Sequence, residues 1–370
     1  MAVFEKYPKT TLTLLLIIFI LLADMIAGTL LIPEDFNSYR TPDPHFHHTL
    51  VPMREARGKW GDRVYEVNTN SLGFRDRKAR AVALKADQER ILLMGDSFIE
   101  GVGVTWEESV AGILSNDLKH DGMEVLNGSA VSYSPRFYYL KTKYLLEEIR
   151  LEFDHLFVFI DNSDPLNEIT YRNWQPYPDN SFKKLKHSLG RFLFSHSYLY
   201  HSIYGLILQN RRNPATEQWN RKLGAAGLDE TELEDDRFIS SMPLWSLNPE
   251  ICNTLGKKGL ELCKTNMDSL LRLCREHNIH VTIAVYPWPE IIMHGDVNNV
   301  QVRYWELYSE ANDSGFLNLY PLFMRKDGAG NIINNYFILN DVHWNPQGNE
   351  LIARYILQYI KGRFRQNESP

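Results

Sequence analysis

Ile91-Leu92-Leu93-Met94 runs directly into Gly95-Asp96-Ser97-Phe98, and this stretch decides how the chain folds. A short apolar run bounded by turn residues indicates a strand that is buried on both faces, and glycine, aspartate and serine after it are typical of a turn. A serine at the carboxyl end of such a strand can expose its hydroxyl, with backbone N–H groups nearby to stabilise an oxyanion. We therefore predict that Ser97 is a nucleophile.

A second polar segment, Asp341-Val342-His343-Trp344-Asn345, lies near the end of the chain. A serine hydroxyl is a weak nucleophile unless a neutral imidazole accepts its proton and a carboxylate orients that imidazole. We expect His343 and Asp341 to have these two roles. Each segment also has a simpler interpretation, because Gly-Asp-Ser is common in ordinary turns and Asn345-Pro346 is a helix-start pattern. The combination of both segments in one chain favours a serine relay.

Short apolar runs alternate with amphipathic helices over most of the chain. This alternation predicts a parallel sheet that is covered by helices on both faces. The predicted strands are Ile91–Met94, Met123–Leu126, His155–Ile160, Ile279–Tyr286 and Phe316–Leu319. The predicted helices cover residues 106–119, 135–149, 257–277 and 346–362, with start signals in a capping-box pattern from Thr105 to Glu108, in Ser134-Pro135 and in Asn345-Pro346.

The N-terminal segment predicts a membrane anchor. Residues 12–32 are apolar except for Asp24 and two threonines, and Lys6 and Lys9 precede them. Basic residues before a span favour a cytoplasmic N-terminus, which places the rest of the chain outside the cytoplasm. Asp24 would cost about 2.5 to 3.5 kcal/mol at the centre of a spanning helix. A cleaved signal peptide is the alternative, although the alanines near the end of the segment do not complete a small-x-small cleavage site.

Composition excludes some classes of function and leaves others open. The 370 residues carry a net charge of −6 with 23% charged residues and no lysine- or arginine-rich block, which argues against a nucleic-acid partner. The three cysteines Cys252, Cys263 and Cys274 are too few and too closely spaced for a disulfide framework, and the last two fit a helix core face. The histidines at 45, 47 and 48 lack acidic or histidine partners at a metal-binding spacing, so we expect no metal.

About 110 residues separate the third and fourth predicted strands, far more than a crossover needs. We expect this insertion to be a lid or specificity region. It contains a predicted helix from about Phe182 to Arg211 and an acidic stretch from Asp229 to Asp236, which is expected to be a solvated loop. An aromatic group at its start either packs in the core or contacts a sugar ring or acyl chain; its members are Tyr171, Trp174 and Tyr177.

Together these segments resemble the SGNH hydrolases, the GDSL-like superfamily of serine esterases, lipases and carbohydrate deacetylases. Residues 95–101 resemble the family's first block and residues 341–345 its last. The resemblance implies that Ser97 is the nucleophile, His343 the base and Asp341 the acid. Asn127-Gly128-Ser129-Ala130 resembles the second block and implies that the Gly128 N–H lies in the oxyanion hole beside that of Ser97. Residues 70–75 also resemble a segment of membrane-anchored bacterial members.

The third block departs from the family's Gly-x-Asn-Asp pattern. Asp161-Asn162-Ser163-Asp164 follows the third strand here, and strict register puts Ser163 at the asparagine position. Either Asn162 reaches the oxyanion or Ser163 supplies a weaker hydroxyl donor. The loss of one such donor costs on the order of a hundred- to a thousand-fold in rate. A catalytically degenerate member is therefore among the alternatives.

We predict an α/β fold of the flavodoxin-like, three-layer α/β/α type, with a central parallel sheet of about five strands, an N-terminal transmembrane helix and a largely helical insertion. The segments are a cytoplasmic N-terminus (1–10), the anchor (11–32), an extension that packs on the domain (33–87), the hydrolase-like domain (88–364, insertion about 167–255) and a tail (365–370). Four further residues are expected to contact substrate: Asp96, Tyr286, Trp288 and Trp344.

The predicted function is that of an extracytoplasmic, membrane-anchored esterase that needs no cofactor. By analogy with the family, the expected substrate is an ester of a cell-envelope glycan, an O-acetyl group above all. The alternatives are an O-acetyltransferase with the same triad and a degenerate protein that binds a glycan or an assembly partner. The sequence does not identify protein partners.

Overall fold

The computed structural model describes residues 6–178, 180–210, 245–324 and 328–367. The chain divides into two compact units. The first consists of Met1–Asp35 and Pro178–Lys222, and the second of Phe36–Tyr177 and Leu223–Pro370. The acidic stretch from Asp229 to Asp236 lies outside the described residues.

An eight-stranded mixed sheet forms the centre of the second unit. The described residues form ten strands, of which β3 to β10 belong to this sheet. In chain order they are β1 (Arg40–Asp43), β2 (His47–Leu50), β3 (Glu55–Trp60), β4 (Arg63–Thr69), β5 (Arg75–Asp76), β6 (Glu89–Met94), β7 (Met123–Asn127), β8 (His155–Ile160), β9 (His280–Val285) and β10 (Gly315–Asn318). The sheet order is β10-β9-β8-β6-β7-β5-β4-β3, and β1 pairs with β2 in a separate hairpin. The five predicted strands are all present, and every pairing among these five is parallel.

The order of these five strands confirms the flavodoxin-like prediction. β6 lies between β7 and β8, so the chain first moves to one side of β6 and then crosses to the other. Ligands of such sheets bind outside the carboxyl ends of the strands at this switch point. Ser97 follows β6 and Asp161 follows β8, which places both loops at the switch point.

The extension contributes more than packing, because β3, β4 and β5 join the sheet in antiparallel pairings. The sheet therefore has eight strands where about five were expected. The sequence of β3 to β5 contains many charged residues and shows little apolar alternation, so it gave no clear strand signal. β5 pairs with β7 through Arg75 and Asn127, and this pairing connects the extension to the sheet.

Helices cover both faces of the sheet. They are α2 (Ser97–Glu100), α3 (Val110–Leu118), α4 (Pro135–Lys143), α5 (Asp164–Tyr171), α8 (Pro249–Ile251), α9 (Lys257–Glu276), α10 (Pro289–His294), α11 (Val300–Ala311), α12 (Tyr320–Phe323), α13 (Ala329–Tyr336) and α14 (Pro346–Asn367). A 3₁₀ turn, Lys119–Asp121, and two π-helical segments, Tyr144–Ile149 and Cys252–Gly256, extend α3, α4 and α8. One apolar cluster joins Ile91 and Leu93 of β6 to α3 and α14. Leu92 and Met94 point to the opposite face, because side chains alternate along a strand.

The structure refines one local prediction and confirms another. The helix expected from 106 begins at Val110, where the Ser109 hydroxyl accepts the Gly112 N–H at 3.1 Å. The Glu108 carboxylate still accepts the Thr105 N–H at 3.0 Å, but this pair belongs to the turn before the helix. Cys263 and Cys274 are buried on α9, in agreement with their predicted packing role.

The first unit consists of helices alone in its described part. They are α1 (Pro8–Leu31), α6 (Ser181–His196) and α7 (Tyr198–Asn210). α1 is long and apolar enough to cross a membrane. The single helix predicted from about Phe182 to Arg211 is interrupted at Ser197, so two helices are present.

Candidate active site

The serine turn is tightly packed between two strands. A Cβ atom on Gly95 would lie 2.8 Å from Ile99 Cγ1 and 3.1 Å from Phe159 Cβ, so only glycine fits there without a shift. Asp96 Oδ1 accepts the Phe98 N–H at 3.0 Å and caps α2. Ser97 is the first residue of α2, and its own N–H donates to no acceptor among the described residues. This N–H is therefore available to an oxyanion.

The structure brings Ser97, His343 and Asp341 together in one chain of hydrogen bonds. His343 Nε2 lies 2.7 Å from Ser97 Oγ, and His343 Nδ1 lies 2.5 Å from Asp341 Oδ1. The His343 N–H donates to the same carboxylate at 2.8 Å. Because the carboxylate receives Nδ1–H, Nε2 is left to accept the serine proton. The arrangement has the geometry of a nucleophile, a base and an orienting acid.

Trp60, at the end of β3, is a site residue that sequence reasoning missed. Its indole Nε1–H donates to Asp341 Oδ2 at 2.9 Å, and its ring meets His343 edge-on with centroids 4.9 Å apart. Burial raises the pKa of Asp341, but hydrogen bonds from His343 and Trp60 outweigh it and leave the pKa below its ordinary value. Asp341 therefore stays ionised. No local pattern marks Trp60, because its partner is remote in sequence.

The segment Asn70 to Arg75 braces the serine turn. The Asn70 side-chain oxygen accepts the N–H groups of Leu72 and Phe74, which forms a tight turn. The buried Arg75 guanidinium then donates to the carbonyls of Glu100, Gly101 and Val104. These three carbonyls belong to the last residue of α2 and the loop after it. The motif noted in the sequence thus supports the turn that carries Ser97.

Glu100 connects this brace to the second-block loop. Arg40 donates two hydrogen bonds to its carboxylate, at 2.8 and 2.6 Å. The Val131 N–H donates to the same carboxylate at 2.8 Å. The loop after β7 is therefore held at a fixed distance from α2.

The second-block loop corrects the expectation for Gly128. Its N–H donates to the Leu93 carbonyl at 2.9 Å as part of the sheet, so it is not free to bind an oxyanion. Ala130 and Val131 N–H groups are also bonded, to Gly95 and Glu100. Ser132 has φ of 62°, and its N–H donates to no acceptor within the described residues. Serine is uncommon in this left-handed region, so no local pattern marks Ser132 as a donor.

The third-block loop separates the two alternative donors. The Ser163 hydroxyl donates to Asp161 Oδ2 at 2.5 Å and accepts from Asn167 at 3.1 Å, so it is occupied. Asn162 is fully buried, and its side-chain oxygen accepts from the Ser246 hydroxyl at 3.4 Å. Trp245 donates its indole N–H to the Asn162 carbonyl at 2.5 Å. The end of the insertion therefore holds the loop, and the burial of Asn162 and the occupied Ser163 hydroxyl leave the third oxyanion donor unassigned.

A pair of carboxyl groups lies beneath the serine turn. Burial, and then the neighbouring Asp161 charge, raise the pKa of Asp96 well above its ordinary value. Tyr286 donates its hydroxyl to Asp96 at 3.1 Å, and Trp288 donates its indole N–H to Asp161 at 2.5 Å. Two negative charges in contact would destabilise this buried pair, and a proton on Asp96 removes one of them.

Three of the four expected substrate contacts are corrected by their burial. Asp96, Tyr286 and Trp344 are 3%, 0% and 1% exposed and have too little free surface to contact a ligand. The ring of Trp344 instead packs against Phe98 and Tyr286, with centroids 4.9 and 4.8 Å apart. Trp288 is half-buried and keeps exposed surface.

The aromatic group at the start of the insertion is a packed layer with half-exposed members. His47 meets the rings of Tyr171 and Trp174 edge-on at 5.0 and 5.4 Å, and Phe137 contacts both. The side chains of Tyr171 and Ser132 are hydrogen-bonded. The structure confirms the packing interpretation for Tyr171 and Trp174, and contact with a sugar ring or acyl chain stays a prediction.

The neighbouring histidines have protein partners. His48 Nε2 donates to the Val131 carbonyl at 2.6 Å, and burial lowers the pKa of His48 to about 3. Among the described residues, no group of three histidine, cysteine, aspartate or glutamate side chains is placed to hold a metal ion.

No protein-family model matches the chain, and no curated protein matches it. Solved structures that are similar to it include the psychrotrophic esterase EstA from Pseudoalteromonas sp., with 13% identity, a TM-score of 0.40 and coverage of 75% of this chain and 99% of that one. A GDSL-like lipase from Bacteroides thetaiotaomicron has 13% identity and a TM-score of 0.36, with coverage of 76% and 93%. A lipase/acylhydrolase from Enterococcus faecalis has 12% identity and a TM-score of 0.35, with coverage of 74% and 96%.

Proposed function

We propose that this protein is a membrane-anchored serine esterase of the SGNH hydrolase type. The observation that carries the proposal is the hydrogen-bonded chain Ser97–His343–Asp341 at the switch point of a flavodoxin-like sheet. A serine within 2.7 Å of an imidazole that is itself held by an ionised carboxylate is an activated nucleophile. A structural role alone does not require this order of donors and acceptors.

The reaction has two steps. In the first, His343 Nε2 takes the hydroxyl proton while Ser97 Oγ attacks the ester carbonyl, and the tetrahedral intermediate then expels the alcohol, which takes that proton from His343. In the second, His343 deprotonates a water molecule that attacks the acyl-serine, and the tetrahedral intermediate then releases the acid as Ser97 Oγ takes that proton from His343. Each step restores the protonation state with which it began, so no further co-reactant is needed.

The oxyanion is held by N–H donors at the ends of β6 and β7. We assign the Ser97 N–H, and the Ser132 N–H in place of that of Gly128; the third donor predicted at Asn162 is fully buried and is not assigned. Neither of the two assigned N–H groups has a protein acceptor in the described structure. Such donors stabilise the transition state more than the neutral ester.

The substrate we propose is an ester, O-acetyl above all, on a cell-envelope glycan. Tyr171 and Trp174 are half-buried, and Tyr171 is hydrogen-bonded to Ser132, so their remaining surface lies on the Ser132 side of the site, where a sugar ring can pack. Lys6 and Lys9 before α1 favour an orientation in which the catalytic domain lies outside the cytoplasm, beside envelope glycans.

An O-acetyltransferase is the second candidate. It would use the same acyl-serine and differ in the hydroxyl that attacks it. A glycan hydroxyl placed against Tyr171 and Trp174 would compete with water for the acyl group. A degenerate binding protein is the third candidate, and it is disfavoured by the complete hydrogen-bonded triad.

The test is p-nitrophenyl acetate turnover by the full-length protein in detergent, beside Ser97→Ala and His343→Ala. Both variants should lose activity by at least about a thousand-fold. Matched controls are Ser129→Ala, whose buried hydroxyl has no hydrogen-bond partner in the part of the chain that the structure describes, and His120→Ala at an exposed site; both should keep activity. Equal inertness of folded wild type and variants, with no labelling of Ser97 by a fluorophosphonate, would overturn the enzyme proposal. Acetyl transfer to an added oligosaccharide would select the transferase.

A further inference from the structure

The first unit contains an apolar surface that the esterase reaction does not use. Helices α6 and α7, called here the helix pair (residues 181–210), carry large apolar side chains that are 54% to 74% exposed. Six of them are Phe182, Leu185, Leu189, Leu199, Ile203 and Leu206. Surfaces of this kind are rare on water-soluble proteins and mark a site of contact with a membrane or another protein.

The helix pair folds back at Ser197. The ring of Phe194 contacts those of His201 and Tyr204, with centroids 4.4 and 5.7 Å apart. Residues 194 and 204 would be about 15 Å apart along a straight helix. The two helices therefore form a corner at Ser197 rather than one rod.

This corner is attached to α1 by two specific contacts. Asp24 accepts the Leu199 N–H at 2.8 Å, so its carboxylate caps the start of α7. The backbone of His196 packs directly against Gly28. A Cβ atom on Gly28 would lie 1.9 Å from the carbonyl oxygen of His196. Asp24, the acidic residue within the apolar segment, is thus hydrogen-bonded to a second helix. Hydrogen bonds from polar residues join helices within membranes in this way.

The depth of the contact follows from helix geometry. Gly28 and Asp24 precede the end of α1 at Leu31 by about 5 and 11 Å at 1.5 Å per residue. α6 and α7 have 16 and 13 residues, or about 24 and 20 Å, and each is too short to span about 30 Å of hydrocarbon. Helices that lie in a membrane interface are buried to a depth of about 5–10 Å.

We propose that the helix pair is a second membrane element, which lies in the lipid leaflet at the carboxyl-terminal end of α1 with its exposed apolar side chains in the acyl chains. Continuity with α1 selects lipid as the occupant, because Asp24 and Gly28 place the corner inside the span. The exposed Lys186 on α6 also favours an anionic lipid surface. The proposal depends on α1 lying in a membrane and does not depend on the esterase reaction.

The test places an environment-sensitive fluorophore on single cysteines in the full-length protein. Cys252→Ser removes the partly exposed native thiol, since the other two cysteines are buried. The probes are Leu189→Cys and Leu206→Cys on the helix pair, Leu15→Cys on α1, and Leu307→Cys, an exposed leucine on helix α11 of the other unit, as a matched control. The protein is reconstituted in vesicles of phosphatidylcholine and phosphatidylglycerol.

Brominated lipid should quench the probes at 15, 189 and 206, whereas aqueous iodide should quench the probe at 307. Iodide quenching at 189 and 206 would overturn the proposal, because the surface would then face water. Protection from both quenchers would also overturn it and would indicate a protein partner or a second copy. If the probe at 15 is not quenched by brominated lipid, the membrane anchor and the helix-pair proposal both fail, and the esterase assay is unaffected.

Discussion

The indole of Trp60 donates a hydrogen bond to the carboxylate of Asp341 across 281 positions of sequence, at 2.9 Å. Trp60 belongs to an antiparallel strand that the extension adds to the sheet, whereas Asp341 lies in the loop before the last helix. The extension therefore supplies a side chain that orients the acid of the candidate triad. This relationship gives the added strands a role in the site.

Trp60→Phe should remove the hydrogen bond that lowers the pKa of Asp341, while the phenyl ring keeps the contact with His343. The pKa of Asp341 is below its ordinary value of 3.8 in the folded protein, so the unfolded chain binds more protons near that pH. Its contribution to stability is therefore present above about pH 4 and lost as pH falls. Without the Trp60 donor, the free energy of unfolding should fall less between pH 7 and pH 3 than it does in the wild type. Activity should fall about 3- to 30-fold.

Urea unfolding at the two pH values and ester turnover measure both effects. Trp305→Phe is the control, because the buried indole N–H of Trp305 has no acceptor among the residues that the structure describes. If Trp60→Phe matches that control in both assays, the hydrogen bond has no role in the site.

Asp341→Asn should reduce kcat by about a thousand- to ten-thousand-fold, because an amide can turn its N–H toward Nδ1 and favour the wrong imidazole tautomer. Fluorophosphonate labelling of Ser97 should slow in parallel. Asp117→Asn, which changes a surface ion pair with Arg354, should leave both rates unchanged. Full activity of Asp341→Asn would remove Asp341 from the triad.

Arg75→Lys should destabilise the protein by about 2 to 4 kcal/mol and lower activity, since one ammonium group cannot reach the three carbonyls that the buried guanidinium contacts. The nearby exposed Arg77 is a matched control, and Arg77→Lys should change stability by less than about 0.5 kcal/mol. Thermal unfolding and ester turnover report the two effects. Equal stability of the two variants would contradict the bracing role.

Glu168→Gln should flatten the pH dependence of stability. Burial raises the pKa of Glu168 from its ordinary value of 4.5 to about 7, so the folded protein binds more protons than the unfolded chain between these values. Its contribution is complete below pH 4.5 and is lost as pH rises through about 7. The full difference corresponds to roughly 3 kcal/mol.

Urea unfolding at pH 5 and pH 8 should show a smaller difference for Glu168→Gln than for wild type. Glu147→Gln changes a glutamate with a 44% exposed side chain and is the control. An unchanged pH dependence in Glu168→Gln would show that this carboxyl does not titrate between the two pH values.

The sequence by itself determined the five parallel strands and brought Ser97, His343 and Asp341 forward as a triad. Each signal was local: an apolar run before a turn, or an acid and an imidazole two positions apart in the same loop. Because parallel strands end at one edge of a sheet, correct strands were enough to predict that the loops after them meet.

The tertiary structure decided which groups complete the site. It engaged the Gly128 N–H in the sheet, left that of Ser132 without an acceptor among the described residues, and occupied the Ser163 hydroxyl with Asp161. Burial of Tyr286 and the approach of Trp60 likewise depend on remote partners. The distant segments that pack against a group determine which hydrogen bonds it makes and how much of it is exposed to solvent. A local sequence pattern does not contain that information.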